Sequence, residues 1–378
     1  MESPRRPPGT DAPWRVAIVG AGVAGAACAR ALAQAGAELQ VFDKSRGPGG
    51  RLATRRAEWV DDDGQPRVVS FDHGAPGFVS RDPALSDAVA AAWCDGALWR
   101  WSPRPAPARG RSGEAAAAPA ALWVPGPDMP ALCRRWIGAL PLQAGTAVAG
   151  LQRGPGGWTL ACAGGAPGAA GFDAVVLAIP PAQAAALLAP HRPDWAERAR
   201  ARPMLPTWTL MALTDAAGDV GPDGDDWDWA APSAGPLARV VRNDLKPGRA
   251  RRPGEAAWVA HATPDWSRDW LEATPQEVLP RMQHALAERL GRAPAWRHAV
   301  VHRWRYATLA PGPDGAPVDG DCLHDAALGL GVCGDAWGGG GVDAAWRSGR
   351  ALAAALIEAR PGSQARGRDP LPSLAPPR

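Results

Sequence analysis

Val16-Ala-Ile-Val-Gly20-Ala-Gly22-Val-Ala-Gly25 stands near the start of this 378-residue chain. The β-branched opening run has strand length. It feeds a Gly-x-Gly-x-x-Gly turn, and a helical stretch from about Ala24 to Ala35 follows. A second strand, Glu38 to Phe42, ends on Asp43, which completes a β-α-β unit. In such a unit the first glycine permits the tight turn and the second lets main chain approach a pyrophosphate. The third lets helix pack on strand. The helix N-terminus presents free N–H groups and a partial positive charge to phosphates. Asp43 stands where a carboxylate accepts from a ribose hydroxyl. Glycine is abundant here, with 45 residues, so the motif draws its weight from strand, helix and acid standing in order. This loop alone does not separate NAD from FAD.

Two further clusters lie at opposite ends of the chain. Lys44-Ser-Arg46-Gly-Pro-Gly49-Gly50-Arg51 follows Asp43 immediately. A dinucleotide that stretches across the domain, as FAD does, requires a second close main-chain approach, and Arg51 offers a planar fork of donors to phosphate or flavin. Near the other end, Gly334-Asp335 is followed by Trp337, four glycines and Val342. The aspartate suits the hydroxyls of a ribityl chain. A helix from Val342 to Ala359 would aim its positive end at the flavin edge that gains charge on reduction. Its Ala345, Gly349, Leu352 and Leu356 fall on one face, which suits packing on a sheet.

The remaining chain fills in the organisation. Phe172 to Ile179 reads as an apolar strand stopped by Pro180-Pro181, and Gly329 to Cys333 as another. Strand patterns at Ala257–His261 and His298–Tyr306 suggest a second domain with its own sheet. The expected fold is therefore α/β: a Rossmann-type FAD-binding domain from 13–60, 122–190 and 320–360, with an inserted α+β substrate domain from 61–121 and 191–319 that holds an antiparallel sheet. The segment 103–120 reads as a flexible insert, and 1–12 and 361–378 as disordered tails.

Composition narrows the class. Forty-one basic against 38 acidic residues leave +3, which argues against nucleic acid and against a polybasic membrane anchor. The only lysines are Lys44 and Lys246; arginine supplies the rest. Six cysteines without a CxxC pair or zinc spacing read as reduced, mostly buried thiols, so no metal is expected. The nineteen tryptophans suit core and pocket. Without an apolar leader or an 18-residue apolar run, the expected place is the cytoplasm, with no membrane partner.

Together these blocks resemble the FAD-dependent amine oxidase superfamily, and more narrowly its renalase-like branch. The resemblance rests on Val16–Gly25, Val41–Arg56, Phe71-Asp-His-Gly-Ala75, His261–Ser267, His302–Ala307 and Cys333–Gly349, in family order. The chain departs from the family at 103–120 and in the all-glycine stretch after Trp337. The resemblance implies non-covalent FAD and hydride transfer from a dihydronicotinamide compound, a mis-reduced isomer of NAD(P)H, to flavin. Electrons then pass to O2, giving NAD(P)+ and H2O2.

The candidate cofactor contacts are Gly20, Gly22, Val23, Ala24, Gly25, Asp43, Lys44, Gly50, Arg51, Thr54, Val148, Gly334, Asp335, Gly341 and Val342. His73, Trp304 and Tyr306 are the catalytic or pocket candidates; His261, Arg305 and Trp337 are weaker ones. A dihydropyridine regains aromaticity on losing hydride, so positioning suffices and no general base is obligatory. Three other readings stay open: a flavin amine oxidase or desaturase, an NAD(P)-dependent dehydrogenase, and a non-catalytic flavin-binding module.

Overall fold

The computed structural model describes residues 13–61, 63–106, 118–165, 169–216, 227–311 and 320–360. The two expected tails and most of the 103–120 insert lie outside the described residues.

Arg15–Val19 is the centre of a six-stranded sheet. It pairs in parallel with Glu38–Phe42 on one side and Ala174–Leu177 on the other. Leu142–Gln143 and Leu330–Val332 extend it in parallel, and Leu323–Asp325 closes one edge antiparallel. Its central strands read as apolar runs because both faces are covered. The Val23–Gln34 and Gly341–Glu358 helices pack on each other over one face, so the two ends of the chain meet there. A Cβ on Gly349 would lie 2.2 Å from the Ala24 carbonyl oxygen, so only glycine allows this approach.

The second large sheet is antiparallel, with five strands in the spatial order 229–230, 237–242, 255–262, 204–215 and 296–309. Alternation along its strands explains both faces. Trp208, Leu210, Ala212, Trp258 and Ala260 point one way and pack on Val278, Met282 and Leu286 of the Pro275–Leu290 helix. Met211, Leu213, Ala257 and Val259 point the other way, against Ala57 and Phe71 of the Arg55–Val60 and Pro66–Phe71 hairpin. A mixed α/β fold with an antiparallel sheet is what the sequence led us to expect.

Some details differ from the sequence reading. The expected strand Phe172–Ile179 is cut at Asp173, whose carboxylate accepts from the Arg15 N–H at 2.8 Å. Phe172 therefore belongs to a separate hairpin sheet with Trp158, and only Ala174–Leu177 joins the parallel sheet. The cysteines are all free, but only Cys28, Cys133 and Cys333 are buried; Cys94 is exposed. Trp337, one of the weaker pocket candidates, is buried in the core beside the parallel sheet. Among the described residues no helix is long and apolar enough to cross a membrane, and no cluster of potential metal ligands is present.

Candidate functional site

A cavity of about 3580 Å³ runs between the two sheets. On the parallel-sheet side its wall is main chain. Gly20 has φ +108°, and a Cβ there would lie 2.3 Å from the Ala178 carbonyl oxygen. Gly25 does not line the cavity; its missing Cβ clears the Gly20 carbonyl oxygen, which a side chain would meet at 1.9 Å. Gly22 differs from both, because a Cβ there would face open space with Gly50 Cα 3.9 Å away. Gly22 and Gly50 thus form opposing glycine surfaces on the cavity.

Two helix N-termini open on the same space. Neither the Val23–Gln34 helix, preceded by Gly22, nor the Gly341–Glu358 helix, preceded by Gly340, has a side-chain cap hydrogen bond. Neither set of first N–H groups is thus capped by the preceding side chain, an arrangement that suits an anionic ligand. The glycines leading into the second helix are not a loose linker: Gly339, Gly340 and Gly341 have φ of +94°, +94° and +84°.

The remaining expected cofactor contacts, Val23, Ala24, Lys44, Thr54, Val148, Gly334 and Val342, also line the cavity. Asp43 is nearly buried, and each carboxylate oxygen accepts one main-chain N–H at 2.7 Å, from Ala21 and from Ser45. That holds the carboxylate rigid and leaves each oxygen a lone pair. Arg51 and Asp335, named separately from the sequence, face each other as a fork: Nη1 to Oδ2 at 2.9 Å and Nη2 to Oδ1 at 2.5 Å. Arg51 also donates to the Ala307 carbonyl at 3.1 Å.

The segment Phe71–Ala75 joins the two halves. A Cβ on Gly74 would meet the Arg51 carbonyl oxygen at 2.1 Å, so glycine lets this segment lie against the second glycine loop. Asp72 is buried below it. Its carboxylate accepts from the Thr54 hydroxyl at 2.6 Å, from Arg249 Nε at 2.8 Å and from the Lys246 ammonium. Burial alone would raise the Asp72 pKa, but those two cations hold it below the ordinary value. Burial pushes Lys246 down to about 8.

On the antiparallel side the wall is side chain. Cross-strand register sets Arg239, His261, Thr209 and His302 side by side across four strands, on one face. Trp304, two residues beyond His302 and opposite Thr207, continues that face. His73 stacks on Trp304 with centroids 5.1 Å apart and meets His302 edge-on at 4.9 Å. Trp304 Nε1 donates to the His73 carbonyl at 3.0 Å. His261 Nε2 lies 2.9 Å from the Gly74 carbonyl; a carbonyl only accepts, so this nitrogen carries the proton.

Desolvation, with His302 and Arg55 nearby, pushes His73 down to about 4. Desolvation, with Arg239 nearby, pushes His261 down to about 3. Both imidazoles are therefore neutral at neutral pH. Tyr306 lines the cavity close to a break in strand register between Thr207 and Leu205, where a bulge re-aims side chains. Arg305, by contrast, is exposed and pairs with Glu272.

The sequence reading missed Arg239, Thr207, Thr209 and His302 as a group. It also missed the Ile179–Pro181 turn and Arg202, which line the cavity from the parallel-sheet side.

Comparison with known proteins places this geometry. A family model described as flavin containing amine oxidoreductase matches residues 131–357, more than half of the chain. The chain belongs to the flavin containing amine oxidoreductase family. A model described as an NAD(P)-binding Rossmann-like domain matches residues 18–92.

Several solved structures share the fold. A protein from Exiguobacterium sp. 255-15 assigned as a protoporphyrinogen oxidase has a TM-score of 0.64 at 13% identity, over 92% of this chain and 99% of that one. An engineered double mutant of putrescine oxidase has 0.62 at 15% identity, over 92% and 100%. Cyclohexylamine oxidase from Brevibacterium oxydans has 0.59 at 14% identity, over 92% and 99%. This flavin containing amine oxidoreductase is an FAD-dependent enzyme, and the cavity fits that cofactor. It offers two uncapped helix N-termini, one for the pyrophosphate and one for the flavin edge, opposing glycine surfaces for main-chain approach, and a fixed carboxylate at Asp43.

Proposed function

We propose that this protein is a renalase-like oxidase of dihydronicotinamide compounds, holding its FAD without a covalent bond. FAD held there would supply the redox chemistry: the substrate would give up a hydride and leave as NAD(P)+, and that hydride with one proton from water would reduce O2 to H2O2. In this reading Gly20, Gly22, Val23, Ala24 and the helix behind them hold the pyrophosphate, and Asp43 accepts from ribose. The Arg51–Asp335 fork and the N-terminus of the Gly341–Glu358 helix serve the flavin end, with Gly50, Gly334, Gly341 and Val342 as its main-chain surface. Gly25 acts through packing, Thr54 through its bond to Asp72, and Lys44 and Val148 line the cavity.

The observation that carries the substrate reading is the uncharged aromatic wall of His73, His302 and Trp304. A flat dihydropyridine needs to be stacked and oriented, and this wall does both without a charged base. Aromatic faces would hold an ammonium as well, so the discriminating feature is whether a carboxylate is left to pair with one. Five carboxylates line the described part of the cavity, Asp43, Glu58, Asp128, Asp321 and Asp335, and each already has a partner in the chain. Tyr306 lines the same cavity, next to Ala307, whose carbonyl accepts from Arg51.

Anaerobic mixing of the holoenzyme with the separate dihydro isomers of NAD tests this. Rapid bleaching of the flavin by the 2- or 6-dihydro isomer, with slow or no bleaching by ordinary NADH, is the expected result. Bleaching by putrescine or another primary amine, with none by any isomer, would replace this reading with an amine oxidase.

A further inference from the structure

Among the described residues twelve basic side chains line the cavity, and Arg239 stands apart among them. Arg51, Arg56, Arg134, Arg303, Arg305 and Arg347 pair with carboxylates. Lys44, Arg46, Arg55 and Arg198 are exposed to solvent, and Arg202 donates to the Ala336 carbonyl and covers Trp337. Arg239 is drawn back from solvent, its pKa lowered by desolvation, yet among the described residues it has neither an ion pair nor a hydrogen bond. Its one contact of note is the Trp229 ring, 4.9 Å from the guanidinium carbon.

Such a group is costly to leave unmatched. Its neighbours in the row do not match it. His261 is neutral, and the buried Thr209 Oγ1 and His261 Nδ1 also lack partners. A planar fork stacked on an indole face is pre-organised for the oxygens of a phosphate.

We propose that Arg239 is a phosphate anchor, binding the phosphoryl group of a nucleotide substrate whose ring lies against Trp304 and His73. This rests on the dihydronicotinamide reading above and adds a subsite to it. The row provides the length. Arg239 and His302 are three strands apart, roughly 14 Å at the usual strand spacing. That separates a ring at one end from a phosphate toward the other.

The test uses equilibrium binding, so that it does not depend on turnover. Oxidised nicotinamide mononucleotide and the phosphate-free nicotinamide riboside are titrated into the holoenzyme while the flavin absorbance is followed. For Arg239→Gln we expect the mononucleotide to bind about 30-fold more weakly, the scale of a lost charged hydrogen bond. The riboside should bind as it does to the wild type.

Should Arg239→Gln lose its FAD or fail to fold, Arg239→Lys keeps the charge without the fork, and about 5-fold weaker mononucleotide binding is expected. Unchanged mononucleotide binding in either variant, or an equal loss for both ligands, would overturn the anchor. If no dihydro isomer bleaches the flavin while the mononucleotide still depends on Arg239, the function reading falls and the anchor stands. If the isomers bleach the flavin and Arg239 has no effect, the reverse holds.

Discussion

On its parallel-sheet side the cavity is lined by main chain, with Gly20, Gly22 and Gly50 at its surface and two helix N-termini opening into it. On its antiparallel side it is lined by side chains, with Trp304, His302, His261 and Arg239 set out by strand register. Main-chain donors are the same whatever the sequence, so a site built from them depends on absent side chains and on tight local geometry. A site built from side chains depends on which residue stands at which register position, and can change specificity without changing the fold. The first design suits a cofactor common to a family, the second a substrate that differs within it.

The seam between the two walls should give the largest effect. Asp72 joins Thr54, beside the second glycine loop, to Lys246 and Arg249, which follow a strand of the antiparallel sheet. Asp72→Leu leaves two buried cations facing an apolar group. Removing one partner of a buried ion pair costs about 3–5 kcal/mol, and denaturant unfolding should register a loss of that size. Lys246→Met should cost less, because Asp72 keeps Arg249 and Thr54. Equal stability of Asp72→Leu and the wild type would mean the walls are joined elsewhere.

Gly349→Ala tests the main-chain side directly. The new Cβ would lie 2.2 Å from the Ala24 carbonyl oxygen and within 3.1 Å of Ala24 Cα, both of them backbone. No side chain can swing aside, so the two helices must part. Overpacking of this kind costs about 3 kcal/mol, and the purified variant should carry less FAD than the wild type. Full FAD content with unchanged unfolding would show that the helix pair is not what shapes this wall.

These two walls were unequally legible in the sequence. Gly20–Gly25, Asp43, Gly49–Arg51 and Gly334–Asp335 could be read because each is a local motif, with its conformation dictated by residues a few positions away. The pairing of Arg51 with Asp335 could not be read, since 284 residues separate them. The row Arg239–His261–Thr209–His302 escaped for the same reason. Its members lie on four strands, and one residue of slip in any strand would turn its member to the other face. Alternation in Thr207-Trp-Thr209 and His302-Arg-Trp304 does mark out faces. It does not say which strands lie side by side.

The side-chain wall should also make the protein sensitive to acid. His73 and His261 titrate at about 4 and about 3 in the folded protein, below the ordinary value of 6.5. Their stability contribution is complete above 6.5 and is lost as pH falls toward the folded values, because the unfolded chain binds protons that the folded one does not. Each imidazole then costs about 1.4 kcal/mol per pH unit. Denaturant unfolding at pH 7, 6 and 5 should show that decline, with a shallower slope in His73→Gln. Activity in the same range should show no step from His73, which stays neutral. A slope unchanged in His73→Gln would mean that this imidazole is not kept neutral by its burial.

Gly339→Ala should have the smallest effect, and it separates two reasons for a glycine. At Gly349 the objection to a side chain is space. At Gly339 nothing lies within 4 Å of the position a Cβ would take, and the objection is φ of +94° alone. A non-glycine residue there bears conformational strain of about 1 kcal/mol without any clash. The variant should fold, retain FAD and melt slightly lower. The next two residues, Gly340 and Gly341, share the positive φ and lead into the N-terminus of the last helix. If the strain were relieved by flattening this turn, the helix N-terminus would shift on the cavity and FAD affinity would fall further than stability. An affinity loss well beyond the roughly fivefold that 1 kcal/mol represents would therefore assign the glycine run to placing the helix N-terminus. A loss within that limit would assign it to chain reversal alone.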